Sequence, residues 1–241
     1  MLKPYRATPE DREHHRRVTT MFNRIAGRYD SLNRIMSGGL DVLWRRRAVR
    51  SIDPRVLPRI IDLCTGTGDI ALALTKRGHR VVAVDAARDM LLRAKKRPNA
   101  DAVQWVESDA VELPFANGSF DAVTISFGIR NIADRDGALR EFSRVVRPNG
   151  RIVVLEALSP TSRFWGTAMR FYESLAFPVL GWLFADDRRA YEYLARSIAG
   201  FGDADEFTTD LRRTGWTDPV VTRFVGGSVG LFVATRVTDT V

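Results

Sequence analysis

Gly66, Gly68 and Asp69 in DLCTGTGDIALAL (residues 62–74) stand where the apolar run RIIDLC gives way to helical spacing. Glycine lets the chain turn sharply there and leaves no Cβ between backbone and ligand. A strand, a two-glycine turn and a helix N-terminus in that order form the seat of a nucleotide-type cofactor. GTGDIA also satisfies the relaxed G-x-G-x-x-A dinucleotide pattern, but so short a match decides little. Asp85 closes the next apolar run, seventeen residues after Gly68. An acid at that place takes hydrogen bonds from both ribose hydroxyls of an adenosine; its other reading is a strand-end carboxylate capping the next helix. Asp109, in ESDAVELPF, follows the third such run, within reach of an adenine amino group. Asp69 occupies the helix N-terminus on which a pyrophosphate would have to lie, and a fixed carboxylate there repels phosphate and suits a cationic ligand.

The elements that must position these residues follow from the hydrophobic pattern. RIIDLC, RVVAVDA, VQWVES, FDAVTISFG and RIVVLEA read as strands. DIALALTKRG, ARDMLLRAKKR and DGALREFSRVVRPNG read as helices, ended by Gly78, before Pro98, and by Pro148 and Gly150. The strands are almost continuously apolar, which predicts a mostly parallel sheet covered by helices on both faces, an α/β domain. DADEFTTDLRRTGW starts with the Asp203 and Glu206 spacing of a capping box and predicts one more helix. DPVVTRFVGGSVGLFVATR predicts an antiparallel hairpin around Gly226 and Gly227 in place of a second complete βαβαβ half.

Composition narrows the classes. The 241 residues, 45% of them hydrophobic, suffice for one large domain. One cysteine, Cys64, excludes an internal disulfide framework and reads as a packing residue, and His14, His15 and His79 do not join it at metal-ligand spacing. No metal is expected. No window approaches the ~20 apolar residues that span a bilayer, which predicts a soluble or peripheral protein. A formal charge of +8 favours an anionic partner. The run Trp44, Arg45, Arg46, Arg47 with Arg50 reads either as a solvated helix face or as a patch that meets anionic lipid.

Longer stretches carry a more specific signal. MFNRIAGRYDSLNRIMSGGLDVLWRRR, DLCTGTGDIALAL, the run ESDAVELPF through RIVVLE, and YEYLARSIAGF together cover most of residues 21–201. The glycine loop with its two downstream acids resembles class I S-adenosylmethionine-dependent methyltransferases. RYDSLN, SFGIRN and YEYLARSI further resemble the ubiquinone and menaquinone biosynthesis C-methyltransferase family. The resemblance implies a Rossmann-like class I methyltransferase fold and S-adenosylmethionine as cofactor, contacted by Thr67, Asp85, Asp109, Ala110 and Ser126, with Asp62, Gly66 and Gly68 of the loop. The chain departs from the family pattern at LEALSP, at Phe201-Gly202 and at Cys64, which bears on the substrate more than on the reaction.

The reaction implied is C-methylation of a prenylated quinol, demethylmenaquinol or 2-polyprenyl-6-methoxy-1,4-benzoquinol. The ring carbon becomes nucleophilic when a neighbouring hydroxyl loses its proton. Arg130 cannot be the base, because a guanidinium stays protonated. It is expected to stabilise the quinolate oxygen, with Asn131 orienting a water or the ring oxygen, and Tyr29 and Asp30 closing the pocket. The competing reading makes Arg130 a surface partner of Asp134 or Asp136.

One domain, 1–241, is expected: a helical N-terminal cap (1–58), a cofactor-binding core (59–156), a helical substrate cap (157–202) and a C-terminal helix and hairpin (203–241). The expected partners are the prenylated quinol and an anionic membrane surface, with a homo-oligomer left open and no nucleic acid. The expected location is the cytoplasm, including the inner face of the membrane. Two rival readings stay open: the same scaffold acting on another small aromatic or lipid-like molecule, and a nucleotide- or RNA-binding protein.

Overall fold

The computed structural model describes residues 8–159, 193 and 196–238. Three helices come first, α1 (Pro9–Ile25), α2 (Tyr29–Met36) and α3 (Asp41–Arg50). The alternating region follows as β1 (Arg59–Leu63), α4 (Asp69–Lys76), β2 (Arg80–Asp85), α5 (Arg88–Ala94), β3 (Val103–Glu107), β4 (Phe120–Ser126), α6 (Arg135–Val145) and β5 (Val146–Ala157). Helix α7 (Ala204–Arg213) and the hairpin β6 (Trp216–Phe224) and β7 (Val229–Arg236) complete it. The seven strands form one sheet in the order β3-β2-β1-β4-β5-β7-β6. The first five are parallel, and β7 lies antiparallel between β5 and β6.

The apolar strands are buried on both faces, as their composition requires. One face carries Ile61, Leu63, Val123 and Ile125 against Leu139 and Phe142 of α6 and Phe207 and Leu211 of α7. The other carries Ile60, Ala83 and Ala122 against Trp44 and Ala48 of α3 and Ile70 and Leu74 of α4. Successive strand residues thus serve opposite cores, which fixes the register, since a one-residue slip would exchange the faces.

Two local expectations are corrected. Helix α6 stops at Val145, and VRPNG already belongs to β5. Pro148 cannot continue a helix, and Asn149 takes a left-handed φ of 60° inside an irregular pairing, where Phe120 faces Val146 but Ala122 faces Arg151. A Cβ on Gly150 would sit 2.6 Å from the Asp121 carbonyl oxygen, so this bulge requires glycine. In α3, Arg45 is buried, not part of a surface patch. It pairs with Asp41 one turn earlier and with Asp69. All of residues 164–184, most of the expected substrate cap (157–202) and half of YEYLARSI lie outside the described residues.

Candidate active site

The strand order reverses between β1 and β4, and ligands in open α/β sheets bind outside the carboxyl ends of strands at such a point. A cavity of about 590 Å³ opens there. The segments after β1, β2, β3 and β4 line it with Cys64 and Gly66, Asp85 to Ala87, Ser108 to Val111, and Phe127 to Gly128 with Asn131. Cys64 and Phe127 hold φ of 49° and 56°, Gly66 and Gly68 of 57° and 85°. Left-handed non-glycine residues in two adjacent loops are backbone strain gathered at one site.

Asp85 organises the floor. Its Oδ2 accepts from Gly66 N at 2.7 Å and its Oδ1 from Ala87 N at 2.8 Å. The carboxylate therefore both shapes the glycine loop and caps the start of α5. Burial raises its pKa, and those backbone donors offset part of the rise. A carboxylate offers about four acceptor sites, and the backbone donors of Gly66, Ala86 and Ala87 take up only part of them. Asp109 borders the same cavity, accepting from Val111 N at 3.2 Å, with His15 Nδ1 3.0 Å from its Oδ2.

Helix α1 makes the opposite wall with His14, His15, Val18, Thr19 and Phe22. A helical N-terminal cap over 1–58 was expected, with Tyr29 and Asp30 closing the pocket; the part of α1 in the cavity wall was not. Its signal was present in HRRVTTMF, where residues 15, 18, 19 and 22 repeat at helical spacing. His14 Nε2 lies 3.2 Å from the Asn131 carbonyl, so α1 is tied to the segments after both β3 and β4. Tyr29 lines the cavity and meets the Phe22 ring edge to face. Burial raises its pKa, against a lowering hydrogen bond with Asn33.

Of the residues singled out from sequence, the cavity gathers Tyr29, Gly66, Asp85, Asp109, Ala110 and Asn131. The others lie around it. Thr67 Oγ1 donates to Asp30 Oδ1 at 2.6 Å, and Gly68 begins α4. Asp62 is buried and accepts from Thr65 Oγ1 and Thr124 Oγ1, each at 2.6 Å. Burial pushes its pKa up to about 6, despite those two bonds. Ser126 closes β4, half-buried. Asn131 Oδ1 accepts from Tyr193 Oη at 3.2 Å.

Arg130 is only 7% exposed and pairs with Glu156, which is fully buried. Asp134 and Asp136 are not its partners: Asp134 caps α6, and Asp136 pairs with Arg140 and Arg213. The Glu156 carboxylate also accepts from Arg130 N at 3.3 Å. The Arg130 Nε is buried without a hydrogen-bond partner, and its Cζ stands 6.0 Å from the Phe127 ring centre.

Asp69 does not present a free charge to a ligand, contrary to expectation. Arg34, Arg45 and Arg97 surround it at 3.3, 3.1 and 2.6 Å. Burial alone would raise its pKa, but the three guanidinium groups together hold it below the ordinary range. These arginines lie 35, 24 and 28 residues away, so no local motif announces them. Among the described residues no group of three metal-ligating side chains occurs, and no helix is long and apolar enough to cross a membrane.

Residues 10–236 match the model of the ubiE/COQ5 methyltransferase family. The chain belongs to this family. A demethylmenaquinone methyltransferase of Thermus thermophilus is 47% identical over 185 residues, 75% of this chain and 84% of the relative. A ubiquinone/menaquinone biosynthesis C-methyltransferase of Paracoccus denitrificans is 40% identical over 205 residues, 83% of this chain and 82% of the relative. The fold of this methyltransferase is shared with a SAM-dependent methyltransferase from Thermotoga maritima: TM-score 0.64, 18% identity, 90% of this chain and 99% of that one.

Proposed function

We infer that the chain methylates a ring carbon of a prenylated quinol, demethylmenaquinol or 2-polyprenyl-6-methoxy-1,4-benzoquinol, in menaquinone or ubiquinone biosynthesis. The observation that carries this reading is the cavity at the switch point, with Asp85 and Asp109 at the ends of neighbouring strands and the strained Cys64 and Phe127 loops beside them.

The residues present fit S-adenosylmethionine. A Cβ on Gly66 would point toward Tyr29, 3.5 Å from its Cε1, so the glycine keeps open the space between loop and wall. The cavity volume lies within the ordinary range of small-molecule sites, ~300–1,000 Å³. The acceptor capacity Asp85 has left takes the ribose hydroxyls, and Asp109, beside Ala110, takes the adenine amino group. Thr67, Gly68, Asp62 and Ser126 act behind that contact, holding the loop and strand ends. When bound, S-adenosylmethionine supplies an electrophilic methyl on a sulfonium, so the protein's task is orientation and exclusion of water.

Phe127, Gly128 and Ile132 give the ring an apolar wall, and Tyr29 and Asn131 give its oxygens polar partners. Arg130 opposes the negative charge that develops on the quinol oxygen, its guanidinium held behind Phe127 by Glu156. The closure of the pocket falls to Tyr29, while Asp30 steadies the loop through Thr67. A prenylated quinol resides in a bilayer, so the chain meets its substrate at an anionic membrane surface from the cytoplasmic side.

Mass analysis of lipid quinones in cells lacking the protein tests the reading. The quinone pool is expected to shift to the form lighter by one ring methyl, and an unchanged pool would overturn the assignment.

A further inference from the structure

The outer face of α3 is built unlike an ordinary solvated helix surface. Asp41, Trp44, Arg45, Ala48 and Val49 are buried. At 100° per residue they occupy one side of the helix, which leaves Leu40 at its N-cap with Leu43, Arg46, Arg47 and Arg50 on the other. Leu43 is 56% exposed and Leu40 41%, two of the six large apolar side chains exposed among the described residues. The only acid of the helix, Asp41, is turned inward onto Arg34 and Arg45. Among the described residues Arg46, Arg47 and Arg50 are bound in no ion pair, whereas Arg45 on the inner side is bound in two.

Exposed leucines interleaved with unpaired arginines, with no carboxylate among them, match a bilayer with anionic headgroups: the leucines enter the acyl boundary and the guanidinium groups meet phosphates. An acidic protein surface would satisfy the arginines but not leucines standing free in water. The inner side of the same helix reaches the cavity wall, since Trp44 and Arg45 both pack on Phe127, at 6.4 Å between ring centres and 5.5 Å from Cζ. We propose that Leu40, Leu43, Arg46, Arg47 and Arg50 form the surface by which this methyltransferase docks on an anionic membrane. The proposal rests on the prenylated-quinol reading only for its purpose and not for its geometry.

The test is co-sedimentation of the full chain with vesicles of equimolar phosphatidylglycerol and phosphatidylcholine, and with pure phosphatidylcholine. The wild type is expected to bind the anionic vesicles, less so as salt rises, and to bind the neutral ones far more weakly. The variant Arg46→Gln/Arg47→Gln/Arg50→Gln should lose about a hundredfold in partitioning, from roughly 1 kcal/mol per basic residue near the surface. Leu40→Ser/Leu43→Ser should weaken binding with the charges intact. The charge-matched variant Arg77→Gln/Arg80→Gln/Lys95→Gln, exposed elsewhere, should bind as the wild type does. Equal loss in that control, or wild-type binding by the α3 variants, would overturn the proposal, as would wild type that ignores anionic vesicles. Activity of the α3 variants on a short-chain soluble quinol separates the two readings. Turnover there with vesicle binding lost supports the surface, and no turnover by the wild type strikes the substrate assignment alone.

Discussion

Thr67 Oγ1 donates a 2.6 Å hydrogen bond to Asp30 Oδ1, joining the glycine loop to the start of α2 across 37 residues of chain. Thr67 is buried, so water does not readily replace the lost partner. A hydrogen bond to a charged group contributes about 1.5–3 kcal/mol. Thr67→Val is therefore expected to raise the Kd for S-adenosylhomocysteine at least about tenfold. Calorimetric titration checks this; unchanged affinity with a lowered melting temperature would make the bond a matter of stability alone.

Asp85 holds the same loop from below through Gly66 N. Asp85→Ala removes the acceptor of the Gly66 and Ala87 backbone donors and, in the proposed site, of the ribose hydroxyls, and cofactor affinity should fall by at least ~1–3 kcal/mol, the cost of leaving buried polar groups unpaired. Asp85→Asn keeps one carbonyl oxygen and should lie between. Tight binding of NAD by the wild type, measured in the same titration, would contradict the site as described.

Arg130→Ala strands the fully buried Glu156 without its counter-charge. Breaking such a pair costs about 3–5 kcal/mol, which denaturant unfolding would show. The informative protein is Arg130→Met/Glu156→Gln, which removes both charges and should recover most of that loss. If Arg130 stabilises the quinolate, this variant keeps cofactor affinity near wild type and loses ~10²–10³-fold in kcat. Near-normal kcat would reduce the pair to a structural one. Arg130→Lys should restore turnover only in part, because an ammonium lacks the planar fork.

Asp62 gives a signed pH dependence. Its pKa is about 6 in the fold against 3.8 as the ordinary value, so folding favours its protonated form. That contribution is fully present below the ordinary value and is lost as pH rises through about 6. Asp62→Asn, which cannot titrate, should therefore gain relative to the wild type between acidic and neutral pH, by ~3 kcal/mol at most. Unfolding free energies of both proteins across that window check it, and a constant difference would refute it.

The sheet was legible because its strands are apolar on both faces and glycine or proline punctuates nearly every turn. The meeting of Gly66, Asp85 and Asp109 at one cavity was legible because they stand at or just past strand ends, where such folds bind ligands. The α6 boundary was misjudged because PNG marks a bulge inside β5 and not a helix end. Asp69 and Arg45 were misjudged for one common reason: each answers the other from across the chain, and a charge is read as free when its partner is remote. The same distance hid Glu156 behind Arg130 and set His14 and His15, unremarkable in sequence, against Asn131 and Asp109.

Strand β7 lies inside the sheet, between β5 and β6, although it follows both in the chain. While the polypeptide is being synthesised, β5 must wait with one edge bare until Val229–Arg236 leave the ribosome, and β6 has no place to attach before then. The parallel half that carries Asp85 and Asp109 can assemble earlier, so the cavity side matures ahead of the antiparallel edge. A nascent chain arrested before residue 229 then carries β5 with an unpaired edge, a template for pairing with another chain.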